Sequence, residues 1–309
     1  MIENSAPQGR PESVHVQRSR LEPRDYRASR QSYEHIEVRP CSAVIGADVG
    51  GVDLSRPLGA LVLAELKRAF LEWKVLFFRD QNLTPRQHAD FASLWGGLYV
   101  NPQLPNAGLD EVARLIHDAA DPGNENMWHS DASHWEKPPL GSILRAVEVP
   151  DLGGDTMWAD MAAAYDGLPP DIKDRLVGLT AVHEPPAHDA LSAALRRSKA
   201  ARARLKFAEH PVLREHPETG QGVLYVNPVF TSHICGLPRS ESDELLEFLF
   251  RQVTYPEYQV RFRWRAGSIA FWDNRATLHY GVNDYFPRRR VLERTTVLGD
   301  RPQPLPAQE

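Results

Sequence analysis

The stretch FWDNRATLHYGVNDYFPRRRVLERTTVLGD, residues 271–300, decides the fold class. Its composition predicts a late pair of strands, because β-branched, aromatic and other apolar residues alternate with polar ones on either side of a turn. Among the polar residues are His279, Arg290 and Arg294. Such a strand pair is typical of a sheet that lines a pocket, although exposed edge strands also carry basic residues.

Short strand patterns dominate the rest of the chain as well. Helices are expected at 60–73, from the capping residue Thr84 to Gly96, near 170–178 and at 241–253. Because helices and strands do not alternate regularly, a doubly wound sheet is disfavoured. We therefore predict a mainly β sandwich or barrel with flanking α-helices. The other strand candidates include ARLIH, SILRAVEV, GVLYVN, YQVRFRW and SIAFW.

One domain is expected over residues 34–302, with an N-terminal tail at 1–33 and a C-terminal tail at 303–309. The N-terminal tail is rich in Arg, Ser, Pro and Glu and has too few large apolar residues to form a core. Residues 187–210 form a basic, alanine-rich insertion. This insertion is either a solvated surface helix or a lid over a pocket.

Bulk properties exclude several classes of protein. The net charge of −5 disfavours general nucleic-acid binding. No apolar run approaches the ~20 residues that span a bilayer, and no secretory signal is evident at the start. With only Cys41 and Cys235, a disulfide framework or thiolate metal site is not expected. We expect a cytoplasmic protein that binds a small molecule, and a homo-oligomer is left open.

A candidate metal site lies in NMWHSDASHWEKPP, residues 126–139. If this segment is a strand, His129 and Asp131 point to the same side, because residues i and i+2 share a face. The pair alone is weak evidence and needs a third ligand. Spacing does not choose that ligand, but the polar strand pair around His279 favours it. The remaining candidates are His134, His183, His188, His210, His216 and His233.

The donor set limits the choice of metal. Two histidines and one carboxylate form the facial triad of non-haem Fe(II) oxygenases. Zinc hydrolases can use the same set, so a zinc-dependent hydrolase is the alternative. On one strand face, Arg290 and Arg294 lie roughly 13 Å apart at ~3.3 Å per residue. Because guanidinium groups bind carboxylates bidentately, two such arginines suit two anions, namely an oxygenase cosubstrate and a substrate.

Several ordered motifs resemble those of the taurine dioxygenase (TauD/TfdA) family. They are GADVGGVDLSRPL, VLFFRDQNLTPRQH, WHSD, GGDTMWADM, WDNRATLHY and RRRVLERTTVLGD, and the resemblance extends from about residue 36 to 302. It implies a double-stranded β-helix (jelly-roll) core. It also implies a dioxygenase that depends on Fe(II), 2-oxoglutarate and O2, oxidises a C–H bond and releases succinate and CO2.

The resemblance also implies roles for individual residues. His129, Asp131 and His279 resemble the iron ligands. Thr156 and Arg290 resemble the residues that hold the distal carboxylate of 2-oxoglutarate. His134 has no counterpart among the ligands, so we expect it to support the site without binding the metal.

The substrate site departs from that of taurine dioxygenase. Arg294 and Phe230 resemble substrate-binding residues, but Asn101, Leu104 and Glu125 replace polar taurine contacts. Asn101 remains a candidate substrate-binding residue by its position. The departures imply an organic acid other than taurine, such as an alkyl sulfate, an aryloxyalkanoate or a natural-product intermediate. Hydroxylation is the expected reaction, with desaturation or epoxidation as alternatives.

Overall fold

The computed structural model describes residues 32–102, 104–186 and 207–306. Strands predominate in these residues, as the sequence predicts. They are β1 (Glu37–Pro40), β2 (Ala47–Gly50), β3 (Val75–Phe78), β4 (Ala113–His117), β5 (Gly141–Glu148), β6 (Thr156–Asp160), β7 (Thr180–His183), β8 (Ala208–Pro211), β9 (Leu213–Glu215), β10 (Gly222–Leu224), β11 (Thr231–Ile234), β12 (Gln259–Phe262), β13 (Ile269–Asp273), β14 (Thr277–Gly281), β15 (Arg290–Val297) and β16 (Gln303–Pro304).

The main sheet has seven strands in the order β1-β2-β3-β13-β5-β15-β4. Its pairs are antiparallel except β2 with β3. β5 and β15 are its longest members at eight residues each, and they pair along most of their length. The two late strands that the sequence predicts do not lie in the same sheet, because β15 joins the main sheet whereas β14 belongs to a smaller one.

Three smaller sheets complete the β-structure, in the orders β12-β6-β14, β11-β7-β8 and β10-β9-β16. The first of them packs against the main sheet. Phe77 on β3 stacks on Phe262 of β12 at 4.2 Å between ring centroids, and Trp158 on β6 lies 5.7 Å from Trp272 on β13. These rings belong to an apolar core between two sheets, so the mainly β, jelly-roll prediction is confirmed.

The helices are α1 (Ala60–Trp73), α2 (Pro85–Ser93), α3 (Met161–Asp166), α4 (Pro170–Leu176) and α5 (Arg239–Gln252). The last three add buried residues to the core between the two sheets, among them Met161, Leu176 and Leu249. The predicted helix at 60–73 is confirmed. It buries Leu66, Ala69, Phe70 and Trp73, and Phe70 stacks on Phe271 of the main sheet at 4.1 Å. These helix residues and Phe271 belong to a second apolar core, which covers the outer face of the main sheet.

The predicted start of α2 is confirmed, because Thr84 and Gln87 form a capping box. The predicted end at Gly96 is wrong, since α2 ends at Ser93. The backbone tightens there, and the N–H groups of Leu94 and Trp95 donate to carbonyls only three residues back. Such bonds finish a helix without a glycine cap.

The expected tails and the insertion extend beyond the described residues. The N-terminal tail lies outside them except for residues 32–33, and so does residues 187–206 of the insertion. The end of that insertion, 208–210, belongs to β8. At the other terminus, Gln303–Pro304 pairs with β9, so the fold continues into the segment expected as a C-terminal tail. No helix in the described part of the chain has the length and apolarity that membrane spanning requires.

Candidate active site

The described residues contain one cluster of three or more metal-binding side chains. It consists of His129, Asp131 and His279, whose ligand atoms lie within 4.8 Å of one another. The Oδ1 atom of Asp131 is 3.7 Å from Nε2 of His279 and 4.0 Å from Nε2 of His129. The fold thus brings His129 and Asp131, which their spacing suggested, together with His279, which its polar strand suggested.

The two histidines are joined by their backbones. The His129 N–H donates to the His279 carbonyl at 3.0 Å, and the His279 N–H donates back at 2.8 Å. His129 makes only this isolated bridge, and Asp131 begins a turn in which Ala132 has φ +48°. The argument that His129 and Asp131 share a strand face is therefore wrong, and the turn is what directs Asp131 towards the histidines.

Asn274 holds that turn in place. Its Oδ1 accepts from the Asp131 N–H at 2.8 Å, and its Nδ2 donates to the Asp131 carbonyl at 3.0 Å. Ser130 adds a hydrogen bond from its hydroxyl to the Asn274 carbonyl at 2.9 Å. Since Asn274 follows β13 directly and is almost fully buried, the position of Asp131 is tied to the main sheet.

The two oxygens of Asp131 have different surroundings. Ser142 on β5 donates its hydroxyl to Oδ2 at 2.9 Å, whereas Oδ1 faces both histidines and lies 3.5 Å from an Arg294 nitrogen. Burial alone raises the pKa of Asp131, but Arg294, the two histidines and the Ser142 hydrogen bond outweigh it and lower the pKa to about 2. Asp131 is therefore a carboxylate at neutral pH, as a metal ligand must be.

Both imidazoles turn Nε2 towards Asp131, and a hydrogen bond fixes the tautomer of His129. Nδ1 of His129 lies 2.7 Å from the Met127 carbonyl, and a carbonyl can only accept, so Nδ1 carries the proton. Burial and the neighbouring His129 lower the pKa of His279 to about 3, so that ring is neutral at physiological pH. Neutral imidazole is the form that metals bind. The donor set and its protonation states fit a divalent metal.

The other candidate histidines lie elsewhere. His134, His183, His210, His216 and His233 do not join the cluster, and His188 falls outside the described residues. His134 stacks on Phe230, with ring centroids 5.1 Å apart and planes inclined by 19°. This placement agrees with the expectation that His134 supports the site without binding the metal.

A second cluster surrounds Arg290 on β15. Its guanidinium is buried, and one of its nitrogens lies 3.5 Å from the Thr156 hydroxyl on β6. Nε of Arg290 is buried without a hydrogen-bond partner in the described structure. Thr156 already accepts from Trp264 Nε1 at 2.9 Å, so its own proton can be donated. A buried cation with an unpaired N–H beside a hydroxyl donor suits an anionic ligand.

Gly154 makes room for this cluster. It has φ +71°, and a Cβ atom there would lie 3.3 Å from Arg290 Cδ and 3.2 Å from Tyr285 Cδ1. Its N–H donates to Asp284 at 2.8 Å, which fixes the turn ahead of β6. Glycine is therefore needed both for the backbone conformation and for the space around the guanidinium.

Arg290 and Arg294 extend from one face of β15, as predicted. Leu292 between them belongs to the core between the two sheets. On the opposite face, Glu293 is buried and paired with Arg114 at 2.6 Å and Arg145 at 3.0 Å. The strand thus places one guanidinium beside Thr156 and the other beside the metal cluster.

The remaining substrate candidates lie on different segments. Phe230 precedes β11 and is buried, while Asn101 and Leu104 lie in an irregular segment between α2 and β4 and are partly exposed. Glu125 precedes the metal segment, with its carboxylate 3.3 Å from His117 Nε2. The substrate-binding role of Asn101 stays a prediction.

Sequence reasoning missed the residues that orient Asp131. Ser142 lies near the start of β5, beside the apolar Ile143 and Leu144, and a lone serine there gives no functional signal. Asn274 stands in WDNR, directly ahead of the strand with His279. The available signal was the amide of Asn274 close to the strand that carries His279, because polar side chains in a buried segment need hydrogen-bond partners.

Comparison with known proteins gives a consistent result. Residues 37–296 match the family model described as "Taurine catabolism dioxygenase TauD, TfdA family". An alpha-ketoglutarate-dependent sulfate ester dioxygenase from Pseudomonas putida is 37% identical over 276 residues, covering 86% of this chain and 91% of that protein. An alpha-ketoglutarate-dependent 2,4-dichlorophenoxyacetate dioxygenase from Cupriavidus pinatubonensis is 35% identical over 283 residues, covering 86% and 98%.

Solved structures agree with the fold. A taurine dioxygenase from Burkholderia xenovorans superposes with a TM-score of 0.76 at 40% identity, covering 88% of this chain and 93% of that one. The likeness therefore extends over the sheets and the segments that carry the metal cluster. The comparisons give no support to the zinc hydrolase alternative.

Proposed function

The chain belongs to the TauD/TfdA family of 2-oxoglutarate-dependent dioxygenases, and on that premise we propose that His129, Asp131 and His279 bind Fe(II). The observation that carries the proposal is their convergence within 4.8 Å beside Arg294, which shares a strand with the buried Arg290. Two imidazoles and one carboxylate occupy one side of such a metal and leave its other positions open. When bound, the iron supplies the activation of O2.

Arg290 and Thr156 are proposed to hold 2-oxoglutarate. The unpaired Nε of Arg290 and the Thr156 hydroxyl offer donors to a distal carboxylate in a buried site. Burial lowers the pKa of Arg290, although nearby acidic groups oppose the shift, so an incoming carboxylate would relieve a desolvated charge. A hydrolytic zinc site has no need of such a second anion site.

The primary substrate is proposed to be an organic acid other than taurine. Arg294 is proposed to bind its acidic group, with Phe230 and Asn101 as further contacts. Relatives whose names specify sulfate esters or 2,4-dichlorophenoxyacetate share anionic substrates with a larger apolar part. Leu104 and Glu125 replace residues that contact taurine in taurine dioxygenase, and this replacement also supports a larger substrate.

The proposed reaction inserts one oxygen atom into a substrate C–H bond. The other oxygen atom enters succinate, and 2-oxoglutarate loses CO2. On the carbon next to a sulfate ester oxygen, the hydroxylated product breaks down to an aldehyde and sulfate. On the corresponding carbon of an aryloxyacetate, it breaks down to a phenol and glyoxylate. Desaturation and epoxidation remain the alternatives, because these reactions also begin with oxidation at a carbon of the substrate.

The protein's own groups have distinct tasks in this scheme. Ser142 and Asn274 orient Asp131, the Met127 carbonyl orients His129, and Arg294 is placed to fix the substrate's acidic end. Orientation of this kind places one C–H bond close to the reacting centre. The buried aromatic rings Trp158 and Trp272 exclude water from the sheet interior behind His279.

The test uses purified protein loaded with Fe(II). Without air, added 2-oxoglutarate should produce a weak visible charge-transfer band. With air, hexyl sulfate or 2,4-dichlorophenoxyacetate should stimulate succinate release and yield sulfate or 2,4-dichlorophenol, whereas taurine should not. The proposal fails if no succinate forms with any of these compounds. It also fails if zinc-loaded protein releases sulfate without 2-oxoglutarate, because that result indicates hydrolysis.

A further inference from the structure

A ring of four polar side chains, three of them buried, includes Ser133 from the segment with Asp131 and is not used by the scheme above. Ser133 Oγ is 3.0 Å from His183 Nδ1, and His183 Nε2 is 3.4 Å from Thr231 Oγ1. Thr231 Oγ1 accepts from the Asn227 N–H at 2.9 Å, and Asn227 Nδ2 donates to Ser133 Oγ at 3.0 Å. These contacts close a circuit of four residues, here named the Ser133 ring.

The members of the Ser133 ring come from distant parts of the chain. Ser133 lies two residues after Asp131, His183 ends β7, and Asn227 and Thr231 flank the turn before β11. Ser133 and His183 are fully buried, and Asn227 is 1% exposed. Buried polar groups are costly unless each has a partner, so a closed circuit in such a place fixes its members relative to one another.

The orientation of Asn227 is determined by its contacts. Its Oδ1 accepts from the N–H groups of Val229 at 3.2 Å and Phe230 at 2.9 Å, and backbone N–H groups can only donate. The amide nitrogen must therefore face Ser133. One side chain thus holds the backbone of Phe230 at one end and the metal segment at the other.

A contact between two side-chain rings joins the same two segments, the one that contains Asp131 and the one that contains Phe230. His134, which follows Ser133, stacks on Phe230 at 5.1 Å. The carbonyl of Phe230 also accepts from the Glu184 N–H at 2.7 Å, directly after His183 in the chain. Phe230 is therefore fixed by its backbone on two sides and by its ring on a third.

His183 fits this role as a neutral side chain. Burial, together with the nearby His210 and His134, keeps the pKa of His183 well below its ordinary value. A neutral imidazole offers one donor and one acceptor. Because Ser133 and Thr231 carry hydroxyls that rotate, the circuit closes whichever ring nitrogen holds the proton.

We propose that the Ser133 ring is a positioning network that sets Phe230 relative to Asp131 and thereby couples 2-oxoglutarate consumption to substrate oxidation. The proposal rests on the proposed function in one respect, namely that Phe230 contacts the substrate. Coupling depends on the distance between a substrate C–H bond and the metal, and small displacements change it strongly. The Ser133 ring joins two walls of the pocket, namely the segment that holds Asp131 and the segment that holds Phe230, and so controls that distance.

The test replaces Ser133 by alanine and uses Ser242→Ala as a matched control. Ser242 is also buried, and it accepts a hydrogen bond from the N–H of Ile234 at the other end of β11. The first measurement is hydrogen exchange without substrate. Ser133→Ala should speed exchange of the amides of Asn227, Val229, Phe230 and Thr231 by about tenfold, although these lie far away in sequence, because unpaired buried groups favour local opening. Ser242→Ala should leave those amides near the wild-type rate.

The second measurement is the ratio of oxidised substrate to succinate, with whichever of hexyl sulfate and 2,4-dichlorophenoxyacetate the enzyme consumes. Ser133→Ala should lower this ratio about threefold or more, while Mn(II) and 2-oxoglutarate affinities stay within about twofold of wild type.

Two results would overturn the proposal. One is wild-type exchange at 227–231 together with a wild-type coupling ratio in Ser133→Ala. The other is a loss of Mn(II) affinity with the ratio unchanged, since Ser133 would then serve only Asp131. If neither compound is consumed, the proposed function fails, but the exchange measurement still decides whether the ring joins the two walls.

Discussion

His129 and His279 exchange both of their backbone hydrogen bonds, at 3.0 and 2.8 Å, although 150 positions (279 − 129) separate them in the chain. This single bridge sets the spacing of two candidate ligands by backbone geometry, independent of side-chain packing. Their ring centroids lie 4.1 Å apart as a result. The third ligand, Asp131, is then supplied by the turn that follows His129.

The first prediction concerns these ligands. His129→Ala, Asp131→Ala and His279→Ala should each abolish Mn(II) binding and iron-dependent turnover while the protein stays folded. His134→Ala is the matched control and should keep Mn(II) binding and most turnover, because it removes no bond to the metal. Mn(II) titration followed by electron paramagnetic resonance and far-UV circular dichroism are the measurements. Equal damage from His134→Ala would show that the ligand set is misassigned.

The second prediction separates the two arginines of β15. Arg290→Ala should weaken 2-oxoglutarate binding at least about tenfold, because removing a guanidinium from a buried carboxylate costs on the order of 2–5 kcal/mol. Arg290→Lys should restore only part of the affinity, since lysine lacks the planar fork. The measurement is anaerobic titration of 2-oxoglutarate into the iron-loaded protein, read from the charge-transfer band.

Arg294→Ala serves as the counterpart on the same strand face. It should leave the 2-oxoglutarate titration nearly unchanged, raise the KM of the primary substrate and increase succinate formed without product. Turnover measured against substrate concentration gives these values. The opposite pattern, with cosubstrate binding lost in Arg294→Ala and kept in Arg290→Ala, would reverse the two assigned roles.

The third prediction concerns the hydroxyl that holds Asp131. Ser142→Ala should lower Mn(II) affinity about tenfold, because residues that orient a metal ligand typically contribute 10–100-fold. It should also lower the free energy of unfolding by about 1–3 kcal/mol, since Oδ2 loses a buried donor. Ser268→Ala provides the control: Ser268 is equally buried and accepts from Arg79 and the Arg265 N–H away from the metal cluster. Wild-type Mn(II) affinity in Ser142→Ala would contradict the assignment.

The fourth prediction is a pH dependence of stability from His117 and Glu125. Pairing with Glu125, whose carboxylate lies 3.3 Å from Nε2, raises the pKa of His117 above 6.5, although burial opposes it. Burial raises the pKa of Glu125, but His117 and Arg290 outweigh it and lower the pKa from 4.5 to about 2. The His117 contribution is complete below pH 6.5 and is lost as pH rises through its folded pKa. The Glu125 contribution is complete above pH 4.5 and is lost as pH falls through about 2.

The pair should therefore stabilise the protein most between pH 4.5 and 6.5. Glu125→Gln should lower the melting temperature in that window by on the order of 1–2 °C and have less effect at alkaline pH. The exposed Glu257→Gln should show no such window. A Glu125→Gln effect that is constant from pH 5 to about 9 would contradict the ion pair.

Much of the fold could be predicted from local patterns. The helical spacing of 60–73 and the capping residues at Thr84 predict helices that form where expected, because both signals depend on neighbours in sequence. The end of α2 was mispredicted because Gly96 is a strong stop signal, whereas the actual end depends on tight backbone bonds that any residue can make.

The site was predictable in its residues but not in its construction. His129 and Asp131 were identified from strand geometry, yet they converge through a turn in which Ala132 adopts φ +48°. Alanine gives no signal for that conformation, which glycine or asparagine would have done. The choice of His279 depended on its polar strand, because its pairing with His129 is a tertiary contact that spacing does not encode.

The backbone bridge between His129 and His279 has a consequence for biosynthesis. A chain leaving the ribosome presents His129 and Asp131 long before β14 and β15, and domains can fold as synthesis proceeds. Until β14 is made, only two of the three donors exist and the bridge that spaces them is absent. Arg290 and Arg294 follow later still. The complete set of three donors therefore forms only once β14 has been made, and the two arginines of β15 are added after it.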